Sequence, residues 1–377
     1  MYFNGKFADM KSCFLMLLFP FVLCIPSYGQ YRYTIKAKTS TLNGAKVLFY
    51  LMDNKNRMVL KKDSALFKDQ QLEFSGEARQ VSNFASIRVI NKKKNLSKTF
   101  VLDSGENIVN IEIHPDNDKK LDLGLTSKSN ELEASIMEMF RVKFDEAIKI
   151  TGKRADVTPE MQLKIYMEVN KLLESYPNEY FSLLALYYNS FYDRSIDYSN
   201  HILSVLRTFN ADLQQSALGK QIYNEQTTLV NNLRAAKAGN SVYEFSVKDA
   251  NGKVFENRSL LGQNYLIVFS ATWCGPCQLQ LPKLKYLYNT YKDKGLKVVY
   301  FNVDDDVLRW KKHISSNKLT WINVSERLKP GNSKITKAFG VGAYPTSLLI
   351  DKTGKIIYNS DETDPGMGDL EAKIKEL

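Results

Sequence analysis

The sequence predicts a multidomain chain: an all-β sandwich or small barrel over residues 30–115, a middle α-helical region over 116–239, and a C-terminal α/β domain over 240–377. Three observations carry this reading. Short apolar runs with period-2 alternation crowd the first block, punctuated by Gly, Asn and Ser turns. Apolar residues in the second block recur at helical spacing. In the third, short buried-strand runs alternate with helical patterns, as an α/β sheet requires. A chain of 377 residues is long enough for two or three domains.

Residues 1–29 read as a signal peptide. Lys11 precedes an almost wholly apolar run from Cys13 to Ile25, too short for a comfortable membrane span. Ser27 and Gly29 supply the small residues a signal peptidase reads, so cleavage is expected between Gly29 and Gln30, and Met10 followed by Lys11 is an alternative start. Leu23 stands where a lipoprotein anchor at Cys24 would need a small residue. The expected location is the periplasm or cell envelope, with membrane contact only through the removed segment. The net charge of +11 is modest for the length. Its lysines, among them Lys61, Lys62, Lys92, Lys93, Lys94, Lys119 and Lys120, are spread out and read as solvated surface. No basic stripe with interleaved aromatics is present, which argues against a nucleic-acid partner.

In the first block the expected strands are Tyr33–Ala37, Val47–Leu51, Leu72–Phe74, Ile87–Ile90, Thr99–Leu102 and Ile108–Ile113, with turns at Asn43-Gly44, Ser75-Gly76 and Ser104-Gly105. His114 before Pro115 reads as a strand-end residue. The helical region carries apolar spacing from Glu131 to Ile150, a start signal at Thr158-Pro159-Glu160, an apolar and aromatic run Tyr180–Tyr188 that reads as helix core, and a helix from Leu218 to Ala238. Packing between the other two regions, and shaping a substrate groove, are the roles open to it.

The chemistry concentrates at Leu266–Cys277, L-I-V-F-S-A-T-W-C-G-P-C. Leu266–Phe269 reads as a buried strand, Ser270–Trp273 as a tight turn, and Cys274 as the start of a helix. A thiolate at a helix N-terminus is stabilised by unpaired N–H groups and the macrodipole, which lowers its pKa. Cys277 lies one turn on, on the same face, close enough for a disulfide. Cys274 is therefore expected as the exposed attacking thiol and Cys277 as the shielded resolving thiol. Half of a zinc site is one alternative; it needs two more ligands, while Cys13 and Cys24 lie in the removed segment and His114, His201 and His313 are scattered. A structural disulfide is another, although so short a loop restricts the unfolded chain little. Without the leader the chain keeps only this cysteine pair, the usage of a chemical rather than a scaffold disulfide.

W-C-G-P-C after an apolar strand resembles a thioredoxin-like fold, and its flanks resemble the secreted TlpA/ResA-like branch related to the AhpC/TSA group, over roughly Asn240–Leu377. The first block resembles the small β domain of unknown function that often precedes such domains in bacterial envelope proteins. The resemblance implies an exported thiol–disulfide oxidoreductase acting on protein disulfides, with no bound cofactor, no metal and a membrane thiol electron donor. It implies that Pro345, in Gly342-Ala343-Tyr344-Pro345-Thr346, is the cis-proline beside the disulfide, with the Tyr344 backbone and Trp273 contacting substrate. Gly275 and Pro276 form the dipeptide of the strongly reducing thioredoxin type, near about −270 mV, and Pro282 matches the proline that kinks the active-site helix.

Further along, Phe245–Val247 and Lys253–Phe255 around Asn251-Gly252 read as a hairpin. A strand follows at Leu296–Val303, and Asp304-Asp305-Asp306 reads as the acidic start of a helix through Ile314. Asn332–Phe339 reads as a helix, and Ser347–Ile350 and Ile356–Tyr358 as a second hairpin. Two departures from the family pattern stand out. The buried aspartate and its partner lysine of thioredoxins are replaced by Val268 and Tyr300, and the glutamate of the ResA-like branch by Gln280. Two further readings compete with the reductase: a thiol peroxidase, whose peroxidatic motif is absent, and a redox-regulated binding protein.

Overall fold

The computed structural model describes residues 31–54, 57–91, 94–362 and 367–377. The signal peptide expected at 1–29, with Cys13 and Cys24, lies outside them. The chain divides into two compact units, one ending at Ser127 and one beginning at Lys128.

The first unit holds eight described strands: β1 (Tyr31–Lys38), β2 (Lys46–Met52), β3 (Val59–Leu66), β4 (Gln71–Ala78), β5 (Ser82–Asn91), β6 (Lys94–Asp103), β7 (Gly105–Ile113) and β8 (Leu121–Leu125). They form two four-stranded sheets, β4-β1-β7-β8 and β3-β2-β5-β6. Alternate residues of each sheet, Tyr33, Ile35 and Ala37 in β1 and Val47, Phe49 and Leu51 in β2, enter one shared core. Three expectations change here. Ser75-Gly76 is not a turn but lies inside β4, where Gly76 faces Tyr33; a Cβ on Gly76 would come within 2.6 Å of the Tyr33 hydroxyl oxygen. The polar β3 escaped the sequence reading because it is an edge strand with Val59, Leu60 and Leu66 exposed. Residues 121–125, placed in the helical region, instead pair antiparallel with β7, since Leu121, Leu123 and Leu125 alternate.

The second unit opens with helices α1 (Lys128–Thr151), α2 (Pro159–Leu172), α3 (Tyr180–Asn189), α4 (Ile196–Thr208), α5 (Ala211–Gln215) and α6 (Ala217–Ala235). Thr158 caps α2 as its sequence predicts, its hydroxyl accepting from Met161 N at 3.2 Å. Ser195, Asn210 and Ser216 cap α4, α5 and α6 in the same way; these caps are the local signal for α4 and α5, which the sequence reading passed over.

The sheet follows: β9 (Ser246–Asp249), β10 (Val254–Glu256), β11 (Tyr265–Ser270), α7 (Gly275–Tyr291), β12 (Lys297–Asn302), α8 (Val307–Ser316), β13 (Ile322–Ser325), α9 (Lys334–Ala338), β14 (Thr346–Ile350), β15 (Ile356–Asn359) and α10 (Leu370–Lys375). The strand order is β10-β9-β13-β12-β11-β14-β15. β11 is parallel to β12 and antiparallel to β14. Both its faces are covered: Leu266 and Val268 pack with Leu281, Leu284 and Leu287 of α7, while Ile267 and Phe269 pack with Phe245, Phe301 and Phe339. This explains its unbroken apolar run. The end of α6 joins the same body, Asn359 Nδ2 donating to Ala236 O at 3.0 Å and Gly239 N to Ile356 O at 2.7 Å.

Burial of the phenols has a measurable consequence. Burial pushes the Tyr265 hydroxyl up to about 12 and also raises Tyr300. An unfolded tyrosine loses its proton near 10, so between pH 10 and 12 the folded chain keeps protons that the unfolded chain has lost. Stability then falls as pH rises through that window, by at most about 1.4 kcal/mol per pH unit for each such tyrosine. The urea midpoint should drop between pH 9 and 11.5, and Tyr265→Phe should make the drop shallower. A midpoint independent of pH there would contradict the assignment.

Candidate active site

The site sits where β11 ends. Ala271, Thr272 and Trp273 follow the strand, and α7 begins at Gly275 with Cys274 as its N-cap. Pro276 occupies the first turn, where a missing N–H costs nothing. Cys274 Sγ accepts from Cys277 N at 3.2 Å, the contact expected of a sulfur that collects helix N-terminal amides. Cys274 and Cys277 are joined in a disulfide, with Cα atoms 5.3 Å apart.

The Tyr344–Pro345 peptide bond is cis. It places Tyr344 O at 3.4 Å from Cys274 Sγ. In the disulfide this is a contact without a proton; a reduced Cys274 thiol could donate to that carbonyl. Trp273 is 54 % exposed and stands edge-on to the Tyr344 ring, at 6.1 Å between centroids. Burial raises the Tyr344 phenol, with Thr336 and Arg194 opposing the shift. Trp273, Cys274, Gly275, Pro276, Cys277, Tyr344 and Pro345 are thus gathered at one end of the sheet, and Pro282 lies inside α7. One expectation needs revision. Cys274 is 5 % exposed and Cys277 3 %, so exposure does not separate the two sulfurs in the oxidised pair.

Behind Cys277 is a small cavity of about 10 Å³, walled in part by Val268, Ser270, Gln280 and Tyr300. That is about the space one water requires. The residues at the departure positions therefore do line the resolving sulfur. Ser270 Oγ and Tyr300 Oη, both buried, are hydrogen-bonded at 2.6 Å, so Tyr300 is partnered by a hydroxyl, while Val268 stands at the aspartate position.

Asp304 also departs from its expected role. α8 starts at Val307, and its cap is Asp306, whose carboxylate accepts from Arg309 N at 3.0 Å. Asp304 is instead 2 % exposed. Its Oδ2 accepts from Thr272 N at 3.0 Å and from Asn302 Nδ2 at 2.8 Å. Its Oδ1 is buried without a hydrogen-bond partner among the described residues. The carboxylate thus ties the end of β12 to the turn that carries Cys274. Asp304→Ala would orphan two buried donors, each costing about 1–3 kcal/mol. Thermal melts should show a clear loss of stability for Asp304→Ala and a smaller one for Asp304→Asn, whose side-chain oxygen can still accept from Thr272. Equal melting temperatures for all three proteins would remove Asp304 from this role.

The helical region reaches the site as well. Gly340, at φ +65°, lies so close to α6 that a Cβ would meet Leu233 Cδ2 at 2.8 Å, and a Cβ on Gly342 would meet Arg194 Cδ at 3.0 Å and Nε at 3.1 Å. Both glycines belong to the loop that leads to Tyr344. Asn232 Nδ2 donates to Lys337 O at 2.8 Å on the same side. The sequence offers no local sign of this approach beyond the glycines themselves.

Residues 237–374 match the Redoxin family model. The chain is similar to the thiol-disulfide oxidoreductase ResA of Bacillus thuringiensis, 33 % identical over 119 residues, which are 32 % of this chain and 66 % of that protein. It is also similar to the ResA of Geobacillus thermodenitrificans, 30 % identical over 152 residues, or 40 % of this chain and 83 % of that protein. The chain thus spans about two thirds of the length of the first of these relatives. Among solved structures it resembles the thioredoxin domain of a thiol-disulfide oxidoreductase from Bacteroides vulgatus, with TM-score 0.33 and 24 % identity over 37 % of this chain and 98 % of that one.

Proposed function

Because the chain belongs to the ResA-like thiol–disulfide oxidoreductases of thioredoxin fold, we propose that it is an exported reductase of protein disulfides in the cell envelope, working through Cys274 and Cys277. The observation that carries this is the redox pair itself: two sulfurs joined at the N-terminus of α7, with the Tyr344 carbonyl 3.4 Å from Cys274. Cys274 thiolate attacks one sulfur of a substrate disulfide, forming a mixed disulfide and expelling the other substrate sulfur as thiolate. Cys277 thiolate then attacks Cys274 Sγ, closing the internal disulfide and expelling the second substrate thiolate. Two electrons pass to the substrate, and a thiol donor at the membrane restores the dithiol. Trp273 and the Tyr344 backbone hold the extended substrate segment.

Export rests on the leader at residues 1–29. Among the described residues no helix is long and apolar enough to cross a membrane.

The test is direct. Reduced protein mixed with a protein disulfide should release substrate thiols with loss of its own, and Cys274→Ala should not. Limiting alkylating agent should label Cys274 before Cys277 in the reduced protein. Peroxide consumption without thiol exchange would move the assignment to a peroxidase, and full cellular function in a Cys274→Ala strain would move it to a binding protein.

A further inference from the structure

We propose that Arg194, on the turn between α3 and α4, is a specificity-determining residue that selects substrate segments bearing a carboxylate beside the reacting cystine. This rests on the thiol-exchange reading above and adds a substrate chemistry to it.

The loop that precedes Pro345 is built against the helical region at two points, Gly340 on Leu233 and Gly342 on Arg194. The second contact brings a cation to the substrate side. The Arg194 stem lies over Gly342, and its charge is felt at Tyr344. Tyr344 in turn carries the carbonyl that stands 3.4 Å from Cys274 Sγ. Gly342 and Tyr344 are two residues apart, a span of at most about 7 Å. A substrate laid along this loop with its sulfur on Cys274 therefore passes under Arg194 two or three positions from its cysteine.

The charge is available there. Arg194 is exposed and has no salt-bridge partner among the described residues. Its neighbour Asp193 is turned back to its own backbone, accepting from Ser195 N at 2.8 Å. An exposed guanidinium held against the loop by its stem pairs best with a carboxylate. A lysine at the same substrate position would be repelled.

The experiment uses peptides with one disulfide and Glu, Gln or Lys two residues from the reacting cysteine, and follows their reduction by the full reduced protein in stopped flow. The readout is the ratio of second-order rate constants, Glu over Lys, which cancels any general loss of activity. Wild type should give a ratio of about ten in low salt, about threefold for each charge step, shrinking at high salt. Arg194→Gln should bring the ratio to about one, Arg194→Glu should invert it, and Arg194→Lys should restore part of it. A wild-type ratio near one, or a ratio of about ten that survives Arg194→Gln, overturns the proposal. Failure of wild type to reduce even the neutral Gln peptide overturns the thiol-exchange reading itself, an outcome distinguishable from the other two.

Discussion

Cys277→Ser is expected to stop turnover and hold the substrate on Cys274 as a mixed disulfide, whereas Cys274→Ser should neither turn over nor trap. The effect should be large. A thiol one helical turn away attacks with the advantage of an intramolecular group, and effective molarities for well-oriented groups reach about 10⁵ M or more. Replacing that thiol by external reductant should cut turnover by at least about a thousandfold. Exposure does not predict the order of attack, since both residues are nearly buried in the disulfide. Position does. Cys274 is the helix cap next to Tyr344 O, where a substrate sulfur can arrive, while Cys277 is one turn in, backed by the cavity at Val268 and Tyr300. Intact mass after mixing with a model disulfide reads both variants: substrate mass should be added to Cys277→Ser only. Trapping by Cys274→Ser instead would reverse the two roles.

The helix-forming turn at Cys274 was legible because strand, turn and cap are local. An apolar run, four turn residues and a helix start at the C-x-x-C pair are all local signals, and β11 and α7 follow them closely. The proline before β14 was legible only through family resemblance, since nothing in Tyr344-Pro345 by itself selects the cis bond found there. Asp304 was misread because sequence shows a run of three acids and not which of them faces inward. Only Asp306 caps the helix; Asp304 is drawn back to Thr272 by the parallel pairing of β12 with β11, a contact across 32 residues. Arg194 lay beyond local reading for the same reason, its meeting with Gly342 depending on how the helical region packs on the sheet.

The second large effect concerns the proton that Cys277 must lose before it can resolve the mixed disulfide. Cys277 is 3 % exposed in the disulfide, and burial disfavours the charged form of a thiol. The side chains around the cavity supply no ready base. Val268 is apolar and Gln280 does not ionise. Tyr300 is raised above its ordinary value by burial, so it stays a protonated phenol through neutral pH. His313, whose ring faces Tyr300 at 6.4 Å, is not among the residues that wall the cavity at Cys277, and burial lowers its imidazole, with Asp304 opposing and Lys285 adding to that shift. Resolution should consequently be slow at neutral pH and quicken by nearly tenfold per pH unit up to the thiol pKa, while the first attack by Cys274 changes less. Gln280→Glu places a carboxylate on the cavity wall and should speed resolution at pH 7 without altering the attack; Val268→Asp should do the same if it folds. Asp304 is the group able to defeat this expectation, because its carboxylate is buried beside the same turn. Stopped-flow traces of the two steps from pH 6 to 9, on wild type and on Asp304→Asn, decide between the two. A steep resolving rate in both proteins leaves Cys277 without a relay. A flat rate in wild type that becomes steep in Asp304→Asn makes Asp304 the relay and refutes the slow-resolution account.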